Sequence, residues 1–200
     1  MEISTCSKLT FLSQQTIRKT DKVKWRPFTH QDVTYDLSHL DPFEWRYTAK
    51  ASGKRPERTY KFHVTFSMHC FTRNPKDSEQ ITTDSWYEGP KEKRVFCFDR
   101  YELSHQLPEI IKDTGNRACW HTHHRNFFTI ELTTKEGKEV EYEVYFNVTR
   151  AARRGWLHLT VNSAYVRTEE YKSTQPGKRK IRLDVIAYNR QQGKPIKLGR

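Results

Sequence analysis

The chain has 200 residues and a net charge of +12, from 36 Lys and Arg against 24 Asp and Glu. That length allows one sizeable domain with an appendage or two small domains, and the charge sets up a field that attracts polyanions, nucleic acid first among them. No stretch approaches the roughly 20 apolar residues of a membrane span, and the N-terminus lacks the apolar centre of a secretory signal, so a cytoplasmic protein without a membrane partner is expected.

Residues 1–32 are polar and basic, and this segment is expected to be the least ordered part of the chain. Residues 33–93 form a β-rich extension. Within it VTYDL and LDPFEWRYTAK suit a turn and a strand, ASGKRPER a loop, and Tyr60–Thr72 a strand in which Phe62, Val64 and Phe66 alternate with Lys61, His63 and Thr65. The run NPKDSEQITTDSWYEGPKEK, 74–93, with two prolines and many charges, reads as an exposed loop. A core of 94–200 follows. RVFCF is a short strand, and Asp99 fits an N-cap for a helix in which Leu103, Leu107, Ile110 and Ile111 share a face and Gly115 supplies the stop. Pro108 predicts a kink or two short helices. Four strands then come in series: FFTIELT, EVEYEVYFNV, WLHLTVNSAYV and KIRLDVIAY. The fold class is α+β, a helix packed on a four-stranded antiparallel meander with a partly β extension before it. The chain shows no internal repeat, no Gly-rich phosphate loop and no nucleophile elbow.

Two places carry chemistry. In WLHLTVNSAYV the face of Leu157, Leu159 and Val161 continues into Ser163 and Tyr165, a pair suited to contacting a phosphate and stacking on a base. The competing reading is a satisfied core tyrosine beside a strand-capping serine. In CWHTHHRNFF, Cys119, His121 and His123 alternate, as zinc ligands on one strand face would, with His69, Cys70 or Cys97 as the fourth. The same stretch also suits an acid/base histidine pair beside Arg150, or a basic rim with Trp120 or Phe127 available for stacking. The four cysteines, Cys6 included, have no regular spacing and read as free thiols. No metal and no cofactor is assigned.

The order of a helix, a four-stranded meander and the triplet Ser163-Ala164-Tyr165 resembles the barnase, EndoU, colicin and RelE-like superfamily of small nucleases over residues 94–200. The resemblance implies a toxin-like or mobile-element endoribonuclease that cleaves RNA through the ribose 2′-hydroxyl without a metal. It assigns His105 from the helix and Arg150 from the sheet to Ser163 and Tyr165; the acid/base reading of CWHTHHRNFF adds His123 as a further candidate. It also implies an acidic inhibitor protein as a partner. The large N-terminal extension and Pro108 depart from the pattern. Trp120, His121, His124, Arg125, Arg153 and Arg154 are the expected nucleic-acid contacts, with RNA ahead of DNA. The alternative is a non-catalytic nucleic-acid-binding accessory protein using the same basic face; a structural zinc module is third. Strand arithmetic places His121–Arg125 near Arg150, and Ser163 and Tyr165 near Tyr142 and Val140, with the two ends on the order of 20 Å apart.

Overall fold

Two segments far apart in sequence have the same alternation, and their pairing frames the fold. Phe62, Val64 and Phe66 of Arg58–Phe66 (β4), and Leu157, Leu159 and Val161 of Trp156–Val166 (β11), are all at most 4% exposed. The strands run parallel, with Phe62 beside Leu157, Val64 beside Leu159 and Phe66 beside Val161. Burying side chains of this size stabilises by about 1.5–3 kcal/mol each, while the cost of closing so long a loop grows only logarithmically with its length. The computed structural model describes residues 24–121, 126–133, 137–167 and 179–196, with 126–133 as backbone only.

The other strands are Phe28–His30 (β1), Val33–Tyr35 (β2), Phe43–Ala49 (β3), Thr72–Arg73 (β5), Trp86–Glu88 (β6) and Lys93–Phe96 (β7), then Cys119–His121 (β8), Asn126–Thr133 (β9), Glu139–Arg150 (β10) and Arg179–Ile181 (β12). The helices are Phe98–Ser104 (α1), Leu107–Lys112 (α2) and Leu183–Gln191 (α3). A seven-stranded sheet has the order β12-β8-β9-β10-β11-β4-β3, mixed because only β4 and β11 are parallel. The protein is α+β. Its antiparallel meander is β8 to β11, so the expected fourth strand, KIRLDVIAY, is a short edge strand followed by a helix. Leu183, Ile186 and Ala187 explain this, since their spacing puts all three into the core from one helical face. The extension 33–93 is joined to the 94–200 core, because β3 and β4 are strands of the main sheet.

Pro108 divides the predicted helix in two, lying in the first turn of α2, where a proline removes no helical hydrogen bond. All three helices send apolar side chains into the core on one sheet face. The stretch 74–93 is more ordered than a loop, since β6 and the start of β7 fall in it and pair in a second sheet, β5-β7-β6. Residues 24–32, expected to be poorly ordered, are also part of the fold. The Trp25 indole N–H donates to the Phe66 carbonyl at 3.1 Å, and Phe28 stacks on Phe96 at 4.0 Å. The boundary expected at 32/33 falls in the two-residue turn of the β1–β2 hairpin, where Gln31 and Asp32 have φ of 47° and 63°. This left-handed conformation matches the turn to the strand twist.

The main sheet curls until its far edges meet. Gly115, in the turn before β8, packs so closely on the ring of Tyr47 in β3 that a methyl group there would overlap it. Tyr47 cannot yield easily, because it is stacked between Trp45 and Tyr60 at 5.7 and 6.2 Å. Gly115→Ala is therefore expected to destabilise the protein by about 1–3 kcal/mol, the usual cost of overpacking. Gly89→Ala, which meets the flexible end of Met68, should cost less; urea denaturation of the two variants checks the order.

Candidate functional site

The residues singled out from sequence lie in separate places. Ser163 is opposite Tyr145, whereas Val161 is opposite Phe146, so Asn162 is an extra residue that bulges β11 and reverses its alternation. Ser163 and Tyr165 therefore leave the face of Leu157, Leu159 and Val161. They join Tyr145 and Glu143, not Tyr142 and Val140. The Tyr165 ring stacks on Tyr145 at 5.5 Å and lies 5.3 Å from the Arg100 guanidinium. The Tyr145 hydroxyl donates to Glu143 at 2.7 Å, and Arg167 donates to the other oxygen of Glu143 at 3.3 Å. Ser163 and Glu143 are buried. This corner gives the carboxylate a cation and a hydroxyl.

Arg150 pairs with Leu157 at the hairpin end, five residues along β10 from Tyr145, or roughly 16 Å from the level of Ser163. His105 is elsewhere again. It ends α1, with its ring stacked on His39 at 3.8 Å and edge-on to Tyr101. Arg153 lies over the Trp156 ring at 4.5 Å and 3.6 Å from Glu44, while Arg150 and Arg154 are exposed. His121 is level with Asn126 and Phe146 across the sheet, hence four residues short of Arg150. Phe127, level with Trp120, is likewise level with Tyr145 and Ser163. The row expected to be remote from CWHTHHRNFF thus runs directly to it. His123, His124 and Arg125 lie outside the described residues. Cys119 and His121 are buried, and among the described residues no three metal-ligating side chains converge. The described cysteines are free, and burial pushes the Cys70 and Cys119 thiols up to about 12.

A cationic groove lies where α3 bridges the two edges of the curled sheet. One cavity of about 690 Å³ is lined by Arg55, His121, Arg179, Lys180 and Arg182 among others. A second, of about 350 Å³, shares Arg55, Val185 and Asn189 with the first and adds Lys50, Lys54 and Arg58. Asp184 is the one carboxylate among these lining residues. It is already held, since Arg182 donates to both of its oxygens at 2.8 and 2.6 Å and Arg55 is 3.6 Å away. Burial pushes the Asp184 carboxyl up, but the hydrogen bonds and charge of Arg182, with Arg55 behind, bring it below the usual carboxylate value. Arg58 lies over the Tyr188 ring at 4.5 Å. Among its described lining residues the groove sets seven Lys and Arg side chains against one carboxylate that is already paired.

Of the described residues expected to contact nucleic acid, only His121 lines this groove; Trp120 lies in the same strand, in register with Lys180. The groove's other cations come from Lys50, from ASGKRPER and from the run around KIRL, which sequence reasoning treats as a strand end, a loop and a strand without function. Their basic character is the signal that could have found them.

The YjaZ family model matches residues 27–191. The chain is also 34% identical over 184 residues to Protein YjaZ of Escherichia coli strain K12, covering 89% of this chain and 97% of that protein. The chain belongs to the YjaZ family. No solved structure matches it. The YjaZ match runs from before β1 to the end of α3, so it takes in all three described sheets and all of the groove's described cations.

Within that YjaZ span, His39 is the histidine whose surroundings perturb it most clearly. Burial, and then the neighbouring His105, lower it from the ordinary value to about 4. Its Nε2 is 2.8 Å from the hydroxyl of Ser104, which is wholly buried and donates to the Tyr101 carbonyl at 2.7 Å. With no surface on Ser104, the pair acts as structure and not as a nucleophile and its base. The folded state disfavours protonated His39, so its contribution is complete above about pH 6.5 and is lost as the pH falls towards 4. Urea denaturation across that window should show stability falling with acidity, with a shallower fall in His39→Gln.

Proposed function

We propose that this protein binds single-stranded nucleic acid, RNA ahead of DNA, by its phosphate backbone in the groove beside α3. The observation that carries this reading is the charge of the two joined cavities: seven Lys and Arg side chains, with a single carboxylate that is already paired. Lys and Arg that neutralise phosphates gain affinity by releasing counterions, whatever the sequence bound. Arginine adds a planar fork that suits phosphate oxygens. The aromatic ring of Tyr188 under Arg58 offers a surface on which a base can stack. A groove of this size exceeds the needs of one phosphate group and suits an extended strand.

A catalytic reading remains as a second proposal, namely metal-independent cleavage of RNA through the 2′-hydroxyl. Its expected centre, His105 with Arg150, Ser163 and Tyr165, is spread over three parts of the molecule. A different pair of histidines favours the chemistry.

Binding of a labelled single-stranded RNA and of its DNA counterpart, followed by fluorescence anisotropy at increasing salt, tests the groove. Affinity should fall steeply with salt. The triple variant Lys54→Ala, Arg179→Ala, Lys180→Ala should bind at least about tenfold more weakly, and its salt slope should be shallower by about 0.7 for each phosphate that is no longer neutralised. Arg55 and Arg182 are left in place because they hold Asp184. A charge-matched variant, Lys76→Ala, Lys91→Ala, Lys112→Ala, should bind like the wild type. No binding at low salt, or equal weakening in both triple variants, would overturn the proposal.

A further inference from the structure

The segments FHVTF, residues 62–66, and LHLTV, residues 157–161, have one pattern: apolar, His, aliphatic, Thr, apolar. They correct the expectation that the chain has no repeat. The two copies lie side by side on β4 and β11 in matched register, His63 beside His158 and Thr65 beside Thr160. The apolar members enter the core that the helices cover, so the His and Thr side chains occupy the opposite face, where all four are half-buried. The imidazole centroids are 5.7 Å apart with their planes at 85°, and the two threonine hydroxyls are hydrogen-bonded at 3.1 Å.

A purely structural strand pair has little use for this arrangement. Two threonines or valines would suit the strand pair at least as well. Two imidazoles held on rigid strands have one property that those residues lack: a ring nitrogen that can accept or donate a proton in a reaction. The charged groups around them are also ordered. Lys61 is two residues before His63 and on the same face, with its ammonium 6.0 Å above the Trp156 ring, which Arg153 covers at 4.5 Å. Glu44 is opposite His63 in β3, and 3.6 Å from Arg153; Thr149 is opposite His158 in β10.

We infer that His63 and His158 are a general base and general acid for cleavage of ribose phosphodiesters. The neutral imidazole takes the proton of a 2′-hydroxyl as its oxygen attacks phosphorus. The bond from phosphorus to the 5′-oxygen breaks, and the imidazolium gives its proton to that leaving oxygen. One proton is gained and one lost, leaving a 2′,3′-cyclic phosphate and a 5′-hydroxyl. Lys61 and Arg153 supply positive charge for the crowded phosphorane. The same pair can open a cyclic phosphate, with water in place of the 2′-hydroxyl and the ribose oxygen as leaving group. The choice of RNA as the polymer rests on the groove reading, whereas the acid–base pair does not.

The test uses the full chain with two substrates in EDTA, a labelled oligoribonucleotide and a 2′,3′-cyclic mononucleotide too small to need the groove. Wild type should process at least one of them, with a rate that rises and falls with pH. Cleavage of the oligomer alone assigns the site to internal linkages; opening of the mononucleotide alone assigns it to cyclic ends. His63→Gln and His158→Gln should each lower kcat by about 10²-fold or more while keeping RNA affinity. The groove triple variant should raise KM for the oligomer, whereas the charge-matched variant at Lys76, Lys91 and Lys112 should leave turnover of the mononucleotide unchanged. Failure of RNA binding with intact mononucleotide turnover would sink the groove and spare the histidines. If neither substrate is processed, or if both glutamine variants stay within about threefold of wild type, the inference is wrong. Should a glutamine variant not fold, a wild-type rate that is flat between about pH 5 and 8 overturns it equally.

Discussion

The parallel pairing of β4 with β11 is the contact on which the rest of the molecule depends. It is the only parallel ladder among the described strands, and it joins the first half of the chain to the last. Without it, the β3–β4 hairpin and the β8–β11 meander would each have one apolar face and no common core. Where β4 ends, β11 still needs partners on that edge, and the chain supplies them locally. The Ser67 amide donates to the Val161 carbonyl at 2.9 Å, and Arg100 of α1 reaches Tyr165. Such a contact forms between residues that local sequence cannot bring together, so it must be held by the burial it creates.

The same pairing explains which parts of the fold are legible from sequence. Alternation in β10 and in the first half of β11 is unbroken, and both strands appear where period-two reasoning puts them. The bulge at Asn162 has no local signature; one extra residue sends Ser163 and Tyr165 to the other face, and everything that follows from their sharing a face with Val161 moves with it. KIRLDVIAY is ambiguous for a different reason. Ile181, Leu183 and Val185 fit a strand, whereas Leu183, Ile186 and Ala187 fit a helix, and only the core that receives the second set decides between them. The order of β4 and β11 is legible, but their adjacency is not.

The candidate site is harder to read, because its parts come from different scales of the sequence. CWHTHHRNFF stands out as a dense cluster, although density along a strand divides side chains between two faces. His121 goes to the buried face and the groove, and Trp120 to the other. The groove's cations come from the loop after β3, from β12 and from the residue before α3, segments whose charge resembles ordinary solvated surface until α3 and the curled sheet bring them together. His63 and His158 are isolated histidines in their own strands. They become a pair only through the register of β4 with β11, although the repeated His-aliphatic-Thr triplet is open to direct inspection.

The groove and the histidine pair are on opposite sides of one strand, and this constrains how they can work together. β4 begins at Arg58, which lines the groove, and reaches His63 five residues later on the far face, roughly 16 Å along the strand. A rigid duplex could not follow a path over that edge, whereas a single strand has the torsional freedom to do so. Arg58, Lys61 and the loop cations Lys54 and Arg55 lie along the same route, so positive charge continues from one face towards the other. If the proposed groove and histidine pair act on one strand, binding free energy gained in the groove would hold a reacting phosphate at a distance from it, which is how remote contacts contribute to a chemical step. Under the proposed reading, that continuous charge is the path by which a phosphate held in the groove would connect to the strand pair where the two imidazoles meet.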